Sequence, residues 1–222
     1  MSKVTVAKSA GFCFGVDRAV KMVYSELENN TKVATLGPII HNQDVVNDMK
    51  SKGARIVDSV DELAPDETVV IRSHGVGREV YEKIAEKGCR MLDATCPFVS
   101  RIHRIVAEKS AEGCFILIAG DASHPEVQGI VGHCDENHLV FKDNFELKDF
   151  FEKKYTNLKK KLAIVAQTTY NIVVWGECLN VIPENDPDIE IFDTICNATD
   201  TRQSDARQLA MQSDIIDRKS VV

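Results

Sequence analysis

The sequence predicts an α/β protein with parallel strands joined by right-handed crossovers. Three observations point there. Short β-rich runs alternate with amphipathic segments, those segments have the roughly 10 to 15 residues of a crossover helix, and similar strand-to-helix junctions recur along the chain. In order, "KVTVA" precedes the helical pattern "VDRAVKMVYSELEN", "KVATLG" precedes "NQDVVNDMKSKG", and "ETVVIRS" precedes "REVYEKIAEKG". "CFILIAG" then leads to "PEVQGIVGHC", and "HLVF" to an acidic helical stretch. "KLAIVAQTT" precedes a longer helical segment, and "DIEIFDT" precedes "NATDTRQSDARQLAMQ". Soft boundaries fall near residue 95 and at "IPENDPDIE", where prolines and acidic residues cluster.

The bulk composition narrows the function classes. The 222 residues are 44% hydrophobic and 27% charged, the mix of a globular protein with a real core. A net charge of −7 argues against a general nucleic-acid binder, which needs a basic surface. The N-terminus "MSKVTVAKSAGFCFG" lacks the apolar core of a secretory signal, and no stretch approaches the roughly 18 apolar residues of a membrane span. A cytoplasmic protein without nucleic-acid or membrane partners is expected.

Seven cysteines, an odd number, do not suggest a disulfide framework in a reducing compartment, and none forms a C-x-x-C pair. Three of them share a context. In "GFCFGVDR", "ATCPFVSR" and "TICNATDTR", Cys13, Cys96 and Cys196 each follow an expected strand and open an expected helix. An arginine follows five residues after the first two and six after the third, and Asp93 and Asp193 each stand three before their cysteine. Taken singly, each reads first as a buried thiol at a helix start. Together, three thiols at helix N-termini, where amide groups favour the thiolate, could bind zinc or an iron-sulfur cluster. Three ligands on a four-iron cluster would leave one iron open to a substrate oxygen. Cys89, Cys114, Cys134 and Cys178 lack that context and read as small buried residues.

The histidines repeat the pattern. His41 in "LGPIIHNQDVV", His74 in "VIRSHGVG" and His124 in "GDASHPEVQG" each stand shortly after a strand and before a helix, where open α/β sheets bind ligands. Three convergent imidazoles beside helix starts would suit a phosphate. His103, His133 and His138 read as surface or core. Glu126 in "SHPE" is a candidate proton donor, or a first-turn carboxylate complementing its helix dipole. Thr168 and Thr169 in "AQTTY" could offer a hydroxyl to the same space, or cap a helix.

These segments carry a resemblance. "AGFCFGVDRAV", "LGPIIHN", "RSHGVG", "DATCPFV", "SHPEVQGI", "QTT" and "ICNATDTRQ" resemble, in order, the motifs of the LytB family, the 4-hydroxy-3-methylbut-2-enyl diphosphate reductases that end the non-mevalonate isoprenoid pathway. The resemblance implies three similar α/β lobes around a central site: residues 14–95, residues 96–193, and a third, incomplete lobe contributed by 1–13 and 194–222. It implies one 4Fe-4S cluster held by Cys13, Cys96 and Cys196. His41, His74 and His124 would hold the diphosphate, Thr168 would position substrate, and Glu126 would deliver protons. Electrons would come from a small carrier such as ferredoxin or flavodoxin, and the products would be isopentenyl and dimethylallyl diphosphate.

The resemblance fades after "RQLAMQSD", where the family continues into a glycine- and serine-rich diphosphate-binding segment and this sequence reads "IIDRKSVV". Weak cluster binding and impaired turnover are the expectation from that departure. Two other classes stand beside the reductase. One is a zinc-dependent hydrolase or deaminase, suggested by the H-x-E pattern of His124 and Glu126 but without the P-C-x-x-C partner of deaminases. The other is a non-catalytic module that binds a phosphate ligand and has no need of the cysteines.

Overall fold

The computed structural model describes residues 4–29 and 31–216 and is a mixed α/β structure with two short parallel sheets. The first half runs α1 (Phe14–Glu28), β1 (Val33–Leu36), α2 (Gln43–Ser51), β2 (Arg55–Val57), a 3-10 turn at Val60–Glu62, β3 (Thr68–Ile71), α3 (Arg78–Glu86) and β4 (Arg90–Asp93). The second half repeats the scheme with α4 (Pro97–Ala111), β5 (Phe115–Ala119), α5 (Pro125–Val131), β6 (His138–Phe141), α6 (Asn144–Phe150), α7 (Thr156–Leu158), β7 (Leu162–Ala166), α8 (Ile172–Leu179) and β8 (Ile189–Ile191). A π-helical turn, Phe151–Tyr155, joins α6 to α7, and α9 (Asn197–Ala210) follows the last strand.

Both sheets have the same strand order, β2-β1-β3-β4 and β6-β5-β7-β8, all parallel. The central strands are buried throughout because helices cover both faces, which is why β3 reads "TVVI" and β7 "LAIVA" with no polar alternation. Side chains still alternate between faces. Ile116 and Ile118 of β5 meet Ile102 and Val106 of α4, whereas Leu117 and Ala119 meet Phe150 and Trp175 on the far side. In the first half, Ala19, Val20 and Val23 of α1 lie at helical spacing against Val33 and Val70.

In this strand order the connections diverge between β1 and β3, and again between β5 and β7. The carboxyl ends of these pairs are topological switch points, where a crevice opens. The two crevices belong to different sheets and are joined by a close backbone contact. Gly77, before α3, and Gly132, after α5, approach so tightly that a Cβ on Gly132 would lie 2.5 Å from the Gly77 Cα. The Arg78 amide donates to the Gly132 carbonyl at 3.1 Å, and the His133 Nε2 lies 3.0 Å from the Val76 carbonyl. His103 stacks on His133 with ring centroids 4.2 Å apart and fills the space beside Gly75.

Three expectations are corrected. "KVTVA" forms no strand in its described residues 4–7, and Lys3 lies outside the described residues. The helix after "KLAIVAQTT" is short, eight residues, because Asn171 starts it late and the chain turns again at Asn180. Cys134 is half-buried rather than core, while Cys89, Cys114 and Cys178 are buried. Of the segments assigned to a third unit, residues 1–3 and 217–222 lie outside the described residues. In the rest, α9 buries none of its residues, and it meets the segment before α1 through Asp205, which accepts from the Ser9 amide at 3.0 Å.

The glycine contact gives a direct test. Gly132 has ordinary helical angles, φ −65° and ψ −6°, so Gly132→Ala adds a steric clash without backbone strain. We expect a loss of about 1–3 kcal/mol in urea unfolding. Gly176→Ala on α8, where an added Cβ meets nothing within 4 Å, should instead be neutral or stabilising by up to about 1 kcal/mol.

Candidate functional site

Apart from Cys13, which no strand precedes among the described residues, every singled-out residue lies at a carboxyl strand end or at the helix that follows. His41 follows β1, His74 follows β3, His124 and Glu126 follow β5, and Thr168 follows β7, so the switch points of both sheets supply them. The three imidazoles converge. Ring centroids are 5.0 Å apart for His41 and His74, 5.5 Å for His74 and His124, and 6.4 Å for His41 and His124.

His124 caps α5, and its Nδ1 accepts from the Glu126 amide at 3.1 Å. A backbone amide can only donate, so Nδ1 carries no proton and Nε2–H is left as a donor. His74 is pushed down to about 3, first by burial and then by the charges of His41, His124 and Arg72. Burial also lowers His124, with His41 adding to it. Near neutrality these two imidazoles are uncharged hydrogen-bonding groups.

The ring nitrogens of the three histidines lie within 4.8 Å of one another, close enough for a metal ion. The charge around them argues for an anion instead. Arg72, whose positive charge His74 and His124 both feel, has no carboxylate partner among the described residues, and a permanent cation beside a metal ion is repulsive. This residue was missed in the sequence, although "RSH" sets a cation two positions before a candidate ligand.

Glu126 is 2% exposed. Its Oε1 accepts from the Thr168 amide at 2.6 Å and its Oε2 from the Thr168 hydroxyl at 2.8 Å. Burial raises its pKa, and the two bonds from Thr168 oppose the shift without cancelling it. The Thr168 hydroxyl is therefore committed to Glu126, and Asn171, not a threonine, caps α8. The same threonine connects to the cysteines, since its carbonyl accepts from the Cys196 amide at 2.8 Å. On the other sheet, the Ser73 carbonyl beside His74 accepts from the Cys96 amide at 2.9 Å.

Cys13, Cys96 and Cys196 are the N-caps of α1, α4 and α9, and none makes a side-chain cap bond. By contrast, Asn42, Asp143 and Asn171 cap α2, α6 and α8 with side-chain oxygens. All three thiols are half-buried and free. Cys96 is close enough to Cys13 and Cys196 to feel both, yet the trio is not among the groups tight enough to share one metal ion. A single zinc, whose bonds to sulfur are about 2.3 Å, would need the three thiols closer together.

Gly15 makes room for this arrangement, because a Cβ there would lie 2.5 Å from the Cys96 Sγ. At Cys96 the helix start does not by itself yield a thiolate. Burial raises Cys96, and the amides of Phe98 and Val99 only partly offset it, so deprotonation would require a bound cation.

The arginines that follow the cysteines also acquire a role. Arg18 donates to the carbonyls of Thr95 and Asp93, both at 3.0 Å, and Arg202 donates to the Gly11 carbonyl at 2.6 Å. Each fixes the segment leading into another helix's cysteine.

A family model described as LytB protein matches residues 4–217. The 4-hydroxy-3-methylbut-2-enyl diphosphate reductase of Clostridioides difficile (strain 630) is 39% identical over 212 residues, covering 95% of this chain and 75% of that protein. Its namesake in Alkaliphilus oremlandii (strain OhILAs) is 40% identical over 218 residues, covering 96% and 75%. The structure of the E-1-hydroxy-2-methyl-but-2-enyl-4-diphosphate reductase from Plasmodium falciparum superposes with a TM-score of 0.82 at 26% identity, over 92% of this chain and 64% of the other. A structure of (E)-4-hydroxy-3-methyl-but-2-enyl diphosphate reductase, described as the terminal enzyme of the non-mevalonate pathway, superposes at 0.79 with 36% identity, over 100% and 79%.

The depressed imidazoles set a pH dependence. His74 and His103 both lie at about 3 in the fold, and an unfolded histidine lies at about 6.5. Between those values the unfolded chain binds more protons, so this contribution to stability is complete above about pH 6.5 and is lost as pH falls toward 3. Denaturant midpoints of the ligand-free protein should drop between about pH 7.5 and pH 5.5, and the drop should be smaller in His74→Asn. An unchanged slope in the variant would place His74 outside this linkage.

Proposed function

This chain belongs to the LytB family, and from that premise we propose that it reductively dehydroxylates 4-hydroxy-3-methylbut-2-enyl diphosphate to isopentenyl and dimethylallyl diphosphate, the last step of the non-mevalonate isoprenoid pathway. The observation that carries this reading is the direct coupling of an imidazole pocket to a buried acid and to uncapped cysteines. The Cys96 amide is bonded to the residue beside His74, and the Cys196 amide to the threonine that holds Glu126.

The site residues suit a 4Fe-4S cluster in donor chemistry, three free half-buried thiols, and Gly15 leaves room for the Cys96 thiol among them. Cys13, Cys96 and Cys196 would hold it, and when bound it supplies single electrons and an open iron that acts as a Lewis acid toward the substrate hydroxyl. The protein's own groups do the rest. His41, His74 and His124 bind the diphosphate, with His124 donating through Nε2–H. Glu126, held toward its neutral form by burial, gives its proton to the leaving hydroxyl, which departs as water. Thr168 fixes the Glu126 carboxyl by two bonds, so the proton is delivered from one orientation. The buried Glu126 and half-buried His74 and His124 limit the water that reaches the allylic product as it takes up its second proton. A small carrier such as ferredoxin or flavodoxin supplies the electrons.

The setting is cytoplasmic, and no helix of the described residues is long and apolar enough to cross a membrane. A zinc hydrolase is disfavoured by the unpaired charge of Arg72 beside the imidazoles, and a passive phosphate module leaves the three uncapped cysteine helices without a purpose.

Anaerobic reconstitution with iron and sulfide tests the reading. Iron uptake toward a full complement of about four per chain supports it, with occupancy below that where the departure after "RQLAMQSD" weakens binding, and with loss of the iron on Cys96→Ser. Gly15→Ala should also lower iron content although every cysteine is retained, because the new Cβ displaces the Cys96 Sγ. Failure of the unsubstituted chain to take up iron, or full uptake by Cys96→Ser, would overturn the assignment. Glu126→Gln should retain iron and lower kcat by about 10²- to 10⁴-fold with little change in KM.

A further inference from the structure

Arg72 follows β3 and reaches across the first switch point toward β1. Its Nη1 lies 2.8 Å from where a Cβ on Gly37 would stand, and Gly37 has φ +72°, so a glycine serves both the turn and the seat of the guanidinium. The Nε is buried without a hydrogen-bond partner. Other arginines near the centre are satisfied: Arg18 and Arg202 by carbonyls, Arg55 by Glu67, Arg90 by Glu26. Arg72 forms no ion pair among the described residues, and the groups that sense its charge are the imidazoles of His74 and His124. A partly buried cation facing imidazoles, with no acid to answer it, is electrostatically incomplete.

We propose that Arg72 is the fixed positive charge of the diphosphate pocket and the residue by which the site prefers a diphosphate to a monophosphate. This deepens the function proposed above and rests on it. The division of labour follows from chemistry. Imidazoles that are neutral near pH 7 supply directed donors but little net charge, whereas a guanidinium is always charged and offers a planar fork suited to phosphoryl oxygens. Adding a second phosphate adds negative charge, and only the fixed cation rewards that addition at every working pH. Arg72 thus acts on binding and orientation, and the proton and electron transfers belong to other groups.

Calorimetric titration of the full chain with inorganic diphosphate and, separately, inorganic phosphate tests this. The unsubstituted protein should bind diphosphate more tightly. Arg72→Gln should lose about tenfold or more of the diphosphate affinity while phosphate affinity changes little, and Arg72→Lys should recover part of the loss. The ligand-free Gln variant should melt no lower than the unsubstituted protein, since it removes an unpaired cation. In turnover the loss should fall on KM and leave kcat within about threefold.

Diphosphate binding by Arg72→Gln within about twofold of the unsubstituted protein would overturn the proposal. An equal loss of both anions accompanied by a lower melting temperature would also overturn it, in favour of a structural role. If the unsubstituted protein binds no inorganic diphosphate, the pocket reading and this role fall together.

Discussion

The site depends on one contact with no side chain in it, the approach of Gly77 to Gly132. It brings the carboxyl ends of two separate sheets face to face, and neither sheet alone holds a working set of groups. The first contributes His41, Arg72 and His74, and the second contributes His124, Glu126 and Thr168. The backbone bond from Arg78 to Gly132 and the stacked His103 and His133 fix the same approach from either side. A side chain at the glycine contact would separate the imidazoles before it affected either core.

Burial pushes the titratable groups of this crevice in opposite directions toward one result. His74 and His124 go down and Glu126 goes up, so all three favour their neutral forms. The crevice then sets neutral imidazole donors and a carboxyl biased toward its acid form around one fixed cation. A diphosphate placed in it would favour protons on the imidazoles and, as a neighbouring negative charge, would also hold the proton on Glu126 more firmly. On the proposed reading, binding the substrate would therefore shift Glu126 further toward its protonated form.

Much of this was legible in the sequence, for identifiable reasons. A cysteine, histidine or glutamate between an apolar run and a helical pattern falls at a strand's carboxyl end wherever the run does form a strand, as at Cys96, His74, His124 and Glu126 but not at Cys13. The parallel sheets followed from the alternation itself. Less legible was anything set by packing between distant segments. Gly77 and Gly132 look like ordinary turn glycines, and nothing local says that they touch. Thr168 reads equally as a helix cap until Glu126 is found buried against it. Arg72 was passed over, because only the fold reveals that it forms no ion pair among the described residues. "KVTVA" has strand propensity, but propensity forms a strand only where a sheet edge receives it.

The spacing from cysteine to arginine, which is only a curiosity in the sequence, becomes mechanical in the fold. The helix after Cys13 carries Arg18, which grips the carbonyls just before Cys96, and the helix after Cys196 carries Arg202, which grips the turn just before Cys13. The helix after Cys96 carries Arg101, which lines a cavity together with Asp193, Thr194, Ile195 and Cys196, the segment at the third cysteine. Two of the cysteine segments are thus held by an arginine from the helix of another cysteine, and Arg101 faces the cavity at the third. A group coordinated by all three thiols would join the same three segments that the arginines join. Cluster binding and the packing of the helix starts would then be coupled, because the segments before Cys96 and Cys13 are already held by Arg18 and Arg202.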